Sequence, residues 1–370
     1  MTRLSEDLLR SVTELGPRIR SLAAWIEANR RLPDEVFGAL AELGVFKAHL
    51  PVACGGHGAR LAELAPVIEE VARADGSAGW LAYVGSEALR QTLLLDESAA
   101  AEVTRSPRAF IAGMFTPGQS RAVAAPGGYR VSGHWHTCSG SLHADWFIGG
   151  TAVYDGDTPR THADGAVVRR LNFIPMSAVR VLDTWHVGGL KGTNSNDLEV
   201  DDVFVPEEFG AYNVEPPDLG LHLIVPLGIA RGAMDAFVEL AGVKGPSKLG
   251  GTLFRDLGSV QRQVAAYEAA LRAARCYAMA SLAEVDARAA AGVLHSPADR
   301  EEFLMAAYHA AQTSLDVVDG LHRAAGSAAI FSASPLLRCL QDIHVAVAHV
   351  SLQPVNLELA GRRLLGAPAN

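Results

Sequence analysis

The chain contains few cysteines, few aromatic residues and no excess of positive charge. Among its 370 residues, 4 are Cys and 6% are Phe, Trp or Tyr. The cysteines, Cys54, Cys138, Cys276 and Cys339, form no CxxC pair, which argues against a disulfide framework and a structural zinc site. The 32 Lys+Arg against 41 Asp+Glu give a formal charge of −9, so the basic composition typical of nucleic-acid-binding domains is also missing.

We also expect no signal peptide and no membrane span. Its first residues, MTRLSEDLLRSVTELG, are amphipathic and include acids, unlike a secretory signal. No apolar run approaches the length of about 18 residues that a membrane span requires. With 49% hydrophobic residues, the chain can bury a sizeable core without staples and is not disordered. We expect a globular cytoplasmic protein with no membrane or nucleic-acid partner.

The first block of the chain, residues 1–105, favours helices. Pro33, followed by Asp34 and Glu35, is typical of a helix start, because proline is tolerated in the first turn and acids suit the positive end of the helix dipole. The apolar periodicity that follows stops near Gly44. We predict an N-terminal α-helical domain.

The second block, residues 106–210, favours strands. Short apolar segments alternate with Gly, Pro and Asp turns, and Gly127-Gly128 is a hairpin signal. We predict a middle domain that is antiparallel and barrel-like.

Helical periodicity returns in the third block, residues 211–370. The stretches 301–325 and 336–364 are predicted helices, with Ala at many positions between larger residues. Small residues let helix axes approach closely, so we predict a C-terminal four-helix-bundle domain. The complete chain is then an α+β protein.

Three segments, in this order, resemble the acyl-CoA dehydrogenase fold. Leu32–Gly56 is similar to the opening of that family, and Gly133–Asp145 resembles its flavin-facing segment. Asp183–Pro206 resembles the loop and strand that end its β domain. The resemblance covers nearly the whole chain and implies the same helical, β, helical architecture.

Two departures distinguish the chain from enzymes that oxidise acyl-CoA. Phe115–Arg121 keeps the Pro-Gly of the family turn but lacks its acid pair. Arg338–Pro354, where the catalytic glutamate is expected, carries His344 and His349 instead. This segment and Asp75–Trp80 resemble the oxygenase components of two-component flavin-dependent monooxygenases.

That second resemblance implies a function and a set of partners. It implies reduced FMN or FAD, supplied by diffusion from a separate NAD(P)H:flavin reductase, and a C4a-hydroperoxyflavin that hydroxylates a small aromatic or aromatic-like substrate. It also implies a homotetramer. Three other functions stay open: a flavin dehydrogenase with a different base, an N- or S-oxygenating relative acting on an amine or thioether, and an inactive relative kept as a binding subunit.

The resemblance implies catalytic roles for Ser139 and His349. Ser139 falls where dehydrogenase relatives place a Thr whose hydroxyl reaches flavin N5 and O4, although Ser before Gly140 is also typical of a turn. His349 lies in the region of the missing base, where an imidazole can deprotonate a substrate or hydrogen-bond an oxygen near flavin C4a. On one continuous helix His344 would be about 140° away from His349, so only one of them, preferably His349, should face the substrate.

Further cofactor contacts follow from the same resemblance. Thr137 replaces the Trp that covers the flavin edge, but equally suits an outward strand position. Phe115 is as readily a β-domain core residue, and Lys248 replaces a missing Arg near the flavin tail or is a solvated loop lysine. The expected cofactor-binding residues are Phe115, Thr116, Thr137, Cys138, Ser139, Lys248 and Gln261.

The substrate contacts and the metal question complete the predicted site. The expected substrate-binding residues are Trp80, Tyr83, His143 and His344. His134 and His136 share a strand face, a spacing that some metal sites use. Strand residues near a flavin or substrate explain them better, so we predict no metal.

Overall fold

The computed structural model describes residues 3–212, 219–246 and 250–367. An N-terminal helical block is followed by strands and then by longer helices. The first block contains α1 (Arg3–Ser21), α2 (Ala23–Asn29), α3 (Asp34–Glu42), α4 (Leu61–Ala74), α5 (Gly76–Arg90) and α6 (Glu97–Thr104). The strands are β1 (Ile111–Met114), β2 (Gln119–Ala125), β3 (Gly128–Cys138), β4 (Trp146–Asp155), β5 (Thr158–Pro159), β6 (Arg169–Pro175), β7 (Arg180–Leu182), β8 (Asn196–Pro206) and β9 (Gly210–Tyr212). The last block contains α7 (Ile224–Ala241), α8 (Gly258–Ala290), α9 (Pro297–Ala325), α10 (Pro335–Ala346) and α11 (Val355–Leu364).

Local signals in the sequence explain several element boundaries. Pro33 lies in extended conformation just before α3, and Asp34 and Glu35 occupy the first turn, as predicted. The chain turns at Gly44, whose φ of +77° favours glycine. A Cβ at this position would also lie 2.4 Å from Nε2 of His57, so the turn requires glycine on two grounds.

The strands form one mixed sheet within the described residues, in the order β7-β8-β3-β2-β4-β6-β9, with β1 and β5 paired to β4. The predicted hairpin joins β2 and β3 in antiparallel register. The expectation of a purely antiparallel domain is wrong for two pairs, since β4 runs parallel to both β1 and β2. After β3 the chain reverses its direction and passes to the other side of β2. Strand β4 therefore lies next to β2 and runs parallel to it.

Small residues bring the helices of the outer blocks close together. A Cβ on Gly79 of α5 would lie 2.3 Å from the Ala72 Cβ of α4, and one on Gly228 of α7 would lie 2.5 Å from the same atom. Three helices therefore meet around Ala72. Tight packing of small residues was expected for the C-terminal block, and here it also joins that block to the N-terminal helices.

The predicted helix over residues 336–364 is interrupted. Helix α10 ends at Ala346, a 3₁₀ turn covers Val350–Leu352, and α11 begins at Val355. Pro354 immediately precedes α11, and a proline disfavours helical backbone at the residue before it. His349 therefore lies in the break between two helices, and the 140° separation from His344 calculated for a continuous helix is wrong.

One helix of the described chain, Leu221–Ala241, is long and apolar enough to cross a membrane by length and composition alone. It is the exception to the expectation that no segment approaches that length. However, 72% of its apolar window is buried inside the fold, as in the core helix of a globular protein.

The predicted α+β class is confirmed: along the chain, one helical block precedes the sheet and another follows it. Secondary structure changes type between Thr104 and Ile111 and again between Tyr212 and Ile224. The predicted domains, 1–105, 106–210 and 211–370, stay predictions, and β9 crosses the second of these boundaries.

Candidate active site

A cluster of four aromatic rings lies where helices of the N- and C-terminal blocks meet. We call Trp80, Tyr83, His222 and His349 the aromatic cluster. Trp80 and Tyr83 are on α5, with ring centroids 5.4 Å apart at 87°. Trp80 meets His349 edge-on at 5.7 Å, and the rings of His349 and His222 stack at 5.5 Å. The predicted substrate residues Trp80 and Tyr83 are thus brought together with the predicted catalytic residue His349.

Helix α5 is fixed at its first turn, which positions this cluster. Asp75 caps the helix, and its side chain accepts a hydrogen bond of 3.0 Å from the amide of Ala78. The hydroxyl of Ser77 accepts a bond of 3.1 Å from the amide of Gly192, in the loop before β8. The helix that carries Trp80 is therefore tied to the β domain.

A chain of hydroxyl groups connects the aromatic cluster to the β domain. Trp80 Nε1 donates to Ser139 Oγ over 3.2 Å, Ser139 and Ser195 hydroxyls are 2.7 Å apart, and Ser195 and Thr193 hydroxyls are 2.8 Å apart. Thr193 Oγ1 also donates to the carbonyl of Leu190 over 2.9 Å. We call Ser139, Ser195 and Thr193 the hydroxyl chain.

The last bond sets the direction of every other bond in the hydroxyl chain. The Thr193 hydroxyl donates its only proton to the Leu190 carbonyl, so it accepts from Ser195. The Ser195 hydroxyl in turn accepts from Ser139. Ser139 therefore donates to Ser195 and accepts from Trp80. A hydroxyl oxygen has two lone pairs, so one acceptor position of Ser139 is left for another N–H or O–H donor.

Unusual backbone conformations concentrate around the hydroxyl chain. Of the five non-glycine residues with positive φ in the described segments, Thr137 (+59°), Leu190 (+47°) and Asn194 (+35°) flank it. Such conformations cost energy, most of all for a β-branched residue, and they cluster at functional sites. The strain supports a functional role for this part of the molecule.

A β-bulge explains where the predicted cofactor segment points. Between Trp135 and Cys138, β3 has one residue more than its partner β8. Cys138 consequently lies buried in the β-domain core with Trp135, and burial raises the pKa of its thiol. Thr137 is exposed, and Ser139 is half-buried beside Trp80. Contact between Cys138 and a flavin would thus involve its backbone.

The loop before β2 lies beside this bulge. Gln119 pairs with His134, and a Cβ on Gly118 would be 3.9 Å from the carbonyl oxygen of His134. Phe115 is half-buried and Thr116 is exposed. Gly118 and Gln119 therefore lie next to the bulged segment of β3, and the flavin contacts of Phe115 and Thr116 stay predictions.

His349 is oriented by the 3₁₀ turn that follows it. Its Nδ1 accepts a hydrogen bond of 3.3 Å from the amide of Ser351. A neutral imidazole with an acceptor at Nδ1 carries its proton on Nε2, so we assign that tautomer. Burial lowers the pKa of His349 to about 4, which keeps the ring neutral at pH 7. His349 is therefore suited to donate a hydrogen bond from Nε2 and is a weak proton acceptor.

His344 and His143 lie outside the aromatic cluster. The His344 ring is half-exposed and bonds Asp319 of α9 over 3.0 Å. His143 stacks on Phe37 of α3, with 4.2 Å between ring centroids. Burial, aided by nearby Arg31, lowers the pKa of His143 to about 4. The partners that the structure gives these two rings lie outside the aromatic cluster, so the substrate contacts of His344 and His143 stay predictions.

The contacts of Lys248 and Gln261 with the flavin tail stay predictions. Lys248 lies outside the described residues. Gln261 is exposed in the first turn of α8 and donates to the carbonyl of Arg255 over 3.0 Å.

His134 and His136 have a common partner that the sequence did not indicate. Both rings contact Oδ2 of Asp197 on β8, at 2.9 and 2.7 Å, and Oδ1 of Asp197 accepts from the amide of Thr137 at 3.3 Å. Burial alone would raise the pKa of Asp197, but bonds from His136 and His134 bring it below its usual value. The three ligand atoms lie within 4.8 Å of one another, a spacing that a divalent ion could bridge. The two ring contacts already satisfy this carboxylate, and the absence of a metal stays a prediction.

Asp197→Asn should loosen the bulge. An amide cannot accept from both rings and the Thr137 amide as a carboxylate does, so we expect a loss of about 2 kcal/mol in the free energy of unfolding. Reduced-flavin affinity should also fall. Chemical denaturation and anaerobic flavin titration measure the two effects. Asp201→Asn, an exposed position on the same strand, is the control, and equal behaviour of the two variants would contradict the role of Asp197.

Comparison with known proteins identifies the class to which this fold and site belong. Residues 7–100 match the family model of the acyl-CoA dehydrogenase N-terminal domain, and residues 221–354 match that of the C-terminal domain. The indole-3-acetate monooxygenase of Pseudomonas putida is 32% identical over 368 residues, covering 95% of this chain and 92% of that protein. The chain therefore belongs to the acyl-CoA dehydrogenase family.

Other relatives narrow this assignment. The flavin-dependent monooxygenase oxygenase subunit HsaA of Mycobacterium tuberculosis is 28% identical, with 95% of this chain and 93% of that protein covered. The structure of XiaF from Streptomyces sp. in complex with FADH2 and glycerol has a TM-score of 0.88 and 25% identity, covering 99% of this chain and 96% of that one. Within the family, this chain is a flavin-dependent monooxygenase of the oxygenase-component type, as the sequence resemblance predicted.

Proposed function

We propose that this protein uses reduced FMN or FAD and O2 to oxygenate a small aromatic substrate. The observation that carries the proposal is the directed hydroxyl chain, which leaves Ser139 with a free acceptor position beside the aromatic cluster. Reduced flavin has an N–H at N5 and oxidised flavin has only an acceptor there, so this arrangement favours the reduced cofactor. The relatives that are flavin-dependent monooxygenases support the same reaction.

Residues of the β3 bulge and of the loop before β2 would hold the flat cofactor. Ser139 would hold the N5 edge of the ring, and Phe115, Thr116 and Thr137 would lie along it. When bound, the reduced flavin supplies the electrons that activate O2 and transfers one oxygen atom. The protein's own residues orient the substrate and exclude water, because a wet site would release the oxygen as hydrogen peroxide.

Dehydrogenation of a substrate is the weaker alternative, because the segment that replaces the catalytic base offers no strong base to the cluster. His349 is a weak proton acceptor, as its lowered pKa indicates. Asp342, the carboxylate of α10, is fully buried and accepts a bond of 2.6 Å from the amide of Leu190. Both observations favour oxygenation over abstraction of a proton.

Two partners belong to the proposal. A separate reductase would supply the reduced flavin by diffusion, as the oxygenase-component class implies. A homotetramer is supported by large apolar side chains exposed around α10 and α11, a surface typical of subunit contact. These side chains are Ile330, Phe331, Val350, Val355, Leu359 and Leu364.

Anaerobic titration with flavin tests the proposed cofactor. We expect reduced FMN or FAD to bind at least tenfold more tightly than its oxidised form, because only the reduced ring can donate from N5 to Ser139. After oxygen is admitted, phenols or indoles should gain one atom of 18O from 18O2. Equal affinity for both redox states with no label in any product would contradict the proposal. Bleaching of tightly held oxidised flavin by an acyl thioester would indicate the dehydrogenase instead.

A further inference from the structure

His222 is a fully buried imidazole, and neither of its ring nitrogens has a hydrogen-bond partner among the residues that the structure describes. It lies in a short 3₁₀ helix, Leu221–Leu223, directly before α7. A buried polar group that makes no hydrogen bond pays its full desolvation cost, and native proteins rarely leave one in this state. The bare nitrogens of His222 therefore indicate that a bound molecule supplies their hydrogen-bond partner in the functional state of the protein.

The surroundings of His222 identify where that partner would bind. Its ring stacks on His349 and meets Tyr83 edge-on at 6.2 Å and Phe303 of α9 at 5.8 Å. Three of these four rings belong to the aromatic cluster, which adjoins Ser139. The unpartnered nitrogens are thus beside the residues already proposed to contact the substrate.

The backbone that carries His222 is held by a buried carboxylate. Glu87 of α5 accepts a bond of 3.2 Å from the amide of Leu221, and Arg90 neutralises this carboxylate over 2.7 Å. A Cβ on Gly220 would lie 2.6 Å from Glu87 Oε1, so the chain approaches closely here. His222 is consequently fixed in its position.

We propose that His222 is a second substrate-binding imidazole, which accepts a hydrogen bond from the uncharged hydroxyl or ring N–H of a planar aromatic substrate bound beside His349. This inference rests on the proposed function. Aromatic side chains suit contact with a flat ring, and the nitrogen of a neutral imidazole that carries no proton accepts from a substrate O–H or N–H.

The charge around His222 selects this class of substituent. The rings that contact His222 in the described part of the chain, those of Tyr83, His349 and Phe303, are uncharged at pH 7. The charged groups that hold its helix, Glu87 and Arg90, pair with each other. Burial, and then the proximity of His349, lowers the pKa of His222, so neither imidazole supplies a cation. A carboxylate bound here would be an unpaired buried charge, which is strongly unfavourable.

The test compares probes that differ only in the donor group. The enzyme, loaded anaerobically with whichever reduced flavin it binds, is titrated by calorimetry with phenol and anisole and with indole and N-methylindole. We expect the donor-bearing member of at least one pair to bind about tenfold more tightly, as one net hydrogen bond provides. His222→Phe keeps an aromatic ring and should reduce that ratio to about 1 without changing reduced-flavin affinity.

Controls separate substrate binding from a structural role. His49 is also buried, with no partner for its Nε2 in the described segments, and His49→Phe should leave the ratio unchanged. His222→Gln retains amide hydrogen-bonding groups and should keep part of the preference, which serves if the Phe variant does not fold. An unchanged ratio in both His222 variants, or no binding by any probe to the flavin-loaded wild type, overturns the inference and leaves the proposed function intact. Failure to bind reduced flavin removes the proposed function and this inference with it.

Discussion

We expect His349→Ala to lower the rate of aromatic oxygenation by about 100-fold, the typical cost of removing one preorganised hydrogen-bond donor from an active site. The bond from the Ser351 amide holds Nδ1, so Nε2–H is the donor that His349 has available for a substrate. Reduced-flavin affinity should stay near the wild-type value, since Ser139 carries that contact. Rapid mixing of the reduced enzyme with oxygen and substrate, followed by product analysis, measures the loss.

Two conservative variants distinguish this donor role from base catalysis. The amide nitrogen of Gln is as many bonds from Cα as Nε2 of His, whereas that of Asn corresponds to Nδ1. His349→Gln should therefore recover about tenfold of the lost rate, the equivalent of one hydrogen bond, and His349→Asn should not. Burial lowers the pKa of His349 to about 4, so the wild-type rate should be flat between pH 6 and 8. A rate that falls with His349 protonation in that range, with no recovery in the Gln variant, would instead identify a general base.

The fold could be predicted from sequence because its signals are local and occur in a characteristic order. Pro33 and the acids after it start α3, and the glycines at 127 and 128 form the β2–β3 hairpin. The parallel pairings of β4 could not be read from the same patterns. Strand direction depends on how distant segments cross the sheet, which turn residues do not reveal.

The break before α11 had a signal that the helical periodicity outweighed. Apolar residues continue at helical spacing through 336–364, which favoured one helix. Pro354 disfavours helix at the residue before it, and His349 accepts from the amide of Ser351 at the start of the 3₁₀ turn. This break is what allows His349 to join the aromatic cluster while His344 stays at the surface of α10.

The residues that complete the candidate site come from distant parts of the chain. His222 lies in the apolar run before α7, where one polar side chain is the only sign of a special role. Asp197 and Ser195 belong to the segment that resembles the end of the family's β domain, but their partners lie about 60 residues earlier on β3 and the turn after it. Only the folded structure brings a carboxylate or a hydroxyl on β8 and the loop before it into contact with that region.

The second large effect is expected for Ser139→Ala. Without the hydroxyl, nothing in the hydroxyl chain accepts from the N5 edge of reduced flavin. We expect the rate of hydrogen peroxide release to rise by about 100-fold and product formed per flavin consumed to fall in proportion, again the cost of one preorganised polar contact. The preference for reduced over oxidised flavin should also disappear. Peroxide assays and product yields in single-turnover reactions measure both.

Ser195→Ala tests the direction of the hydroxyl chain. Ser139 would then have no acceptor for its own proton and could rotate to donate to oxidised flavin, so this variant should bind the two redox states with similar affinity. Ser132→Ala is the matched control, because Ser132 is a half-buried serine on β3 that accepts from the amide of Asp202 over 2.9 Å, outside the hydroxyl chain. If Ser139→Ala releases peroxide no faster than Ser132→Ala does, Ser139 does not hold the cofactor. If Ser195→Ala keeps the full redox preference, the hydroxyl chain does not set the polarity of Ser139, and that preference has another source.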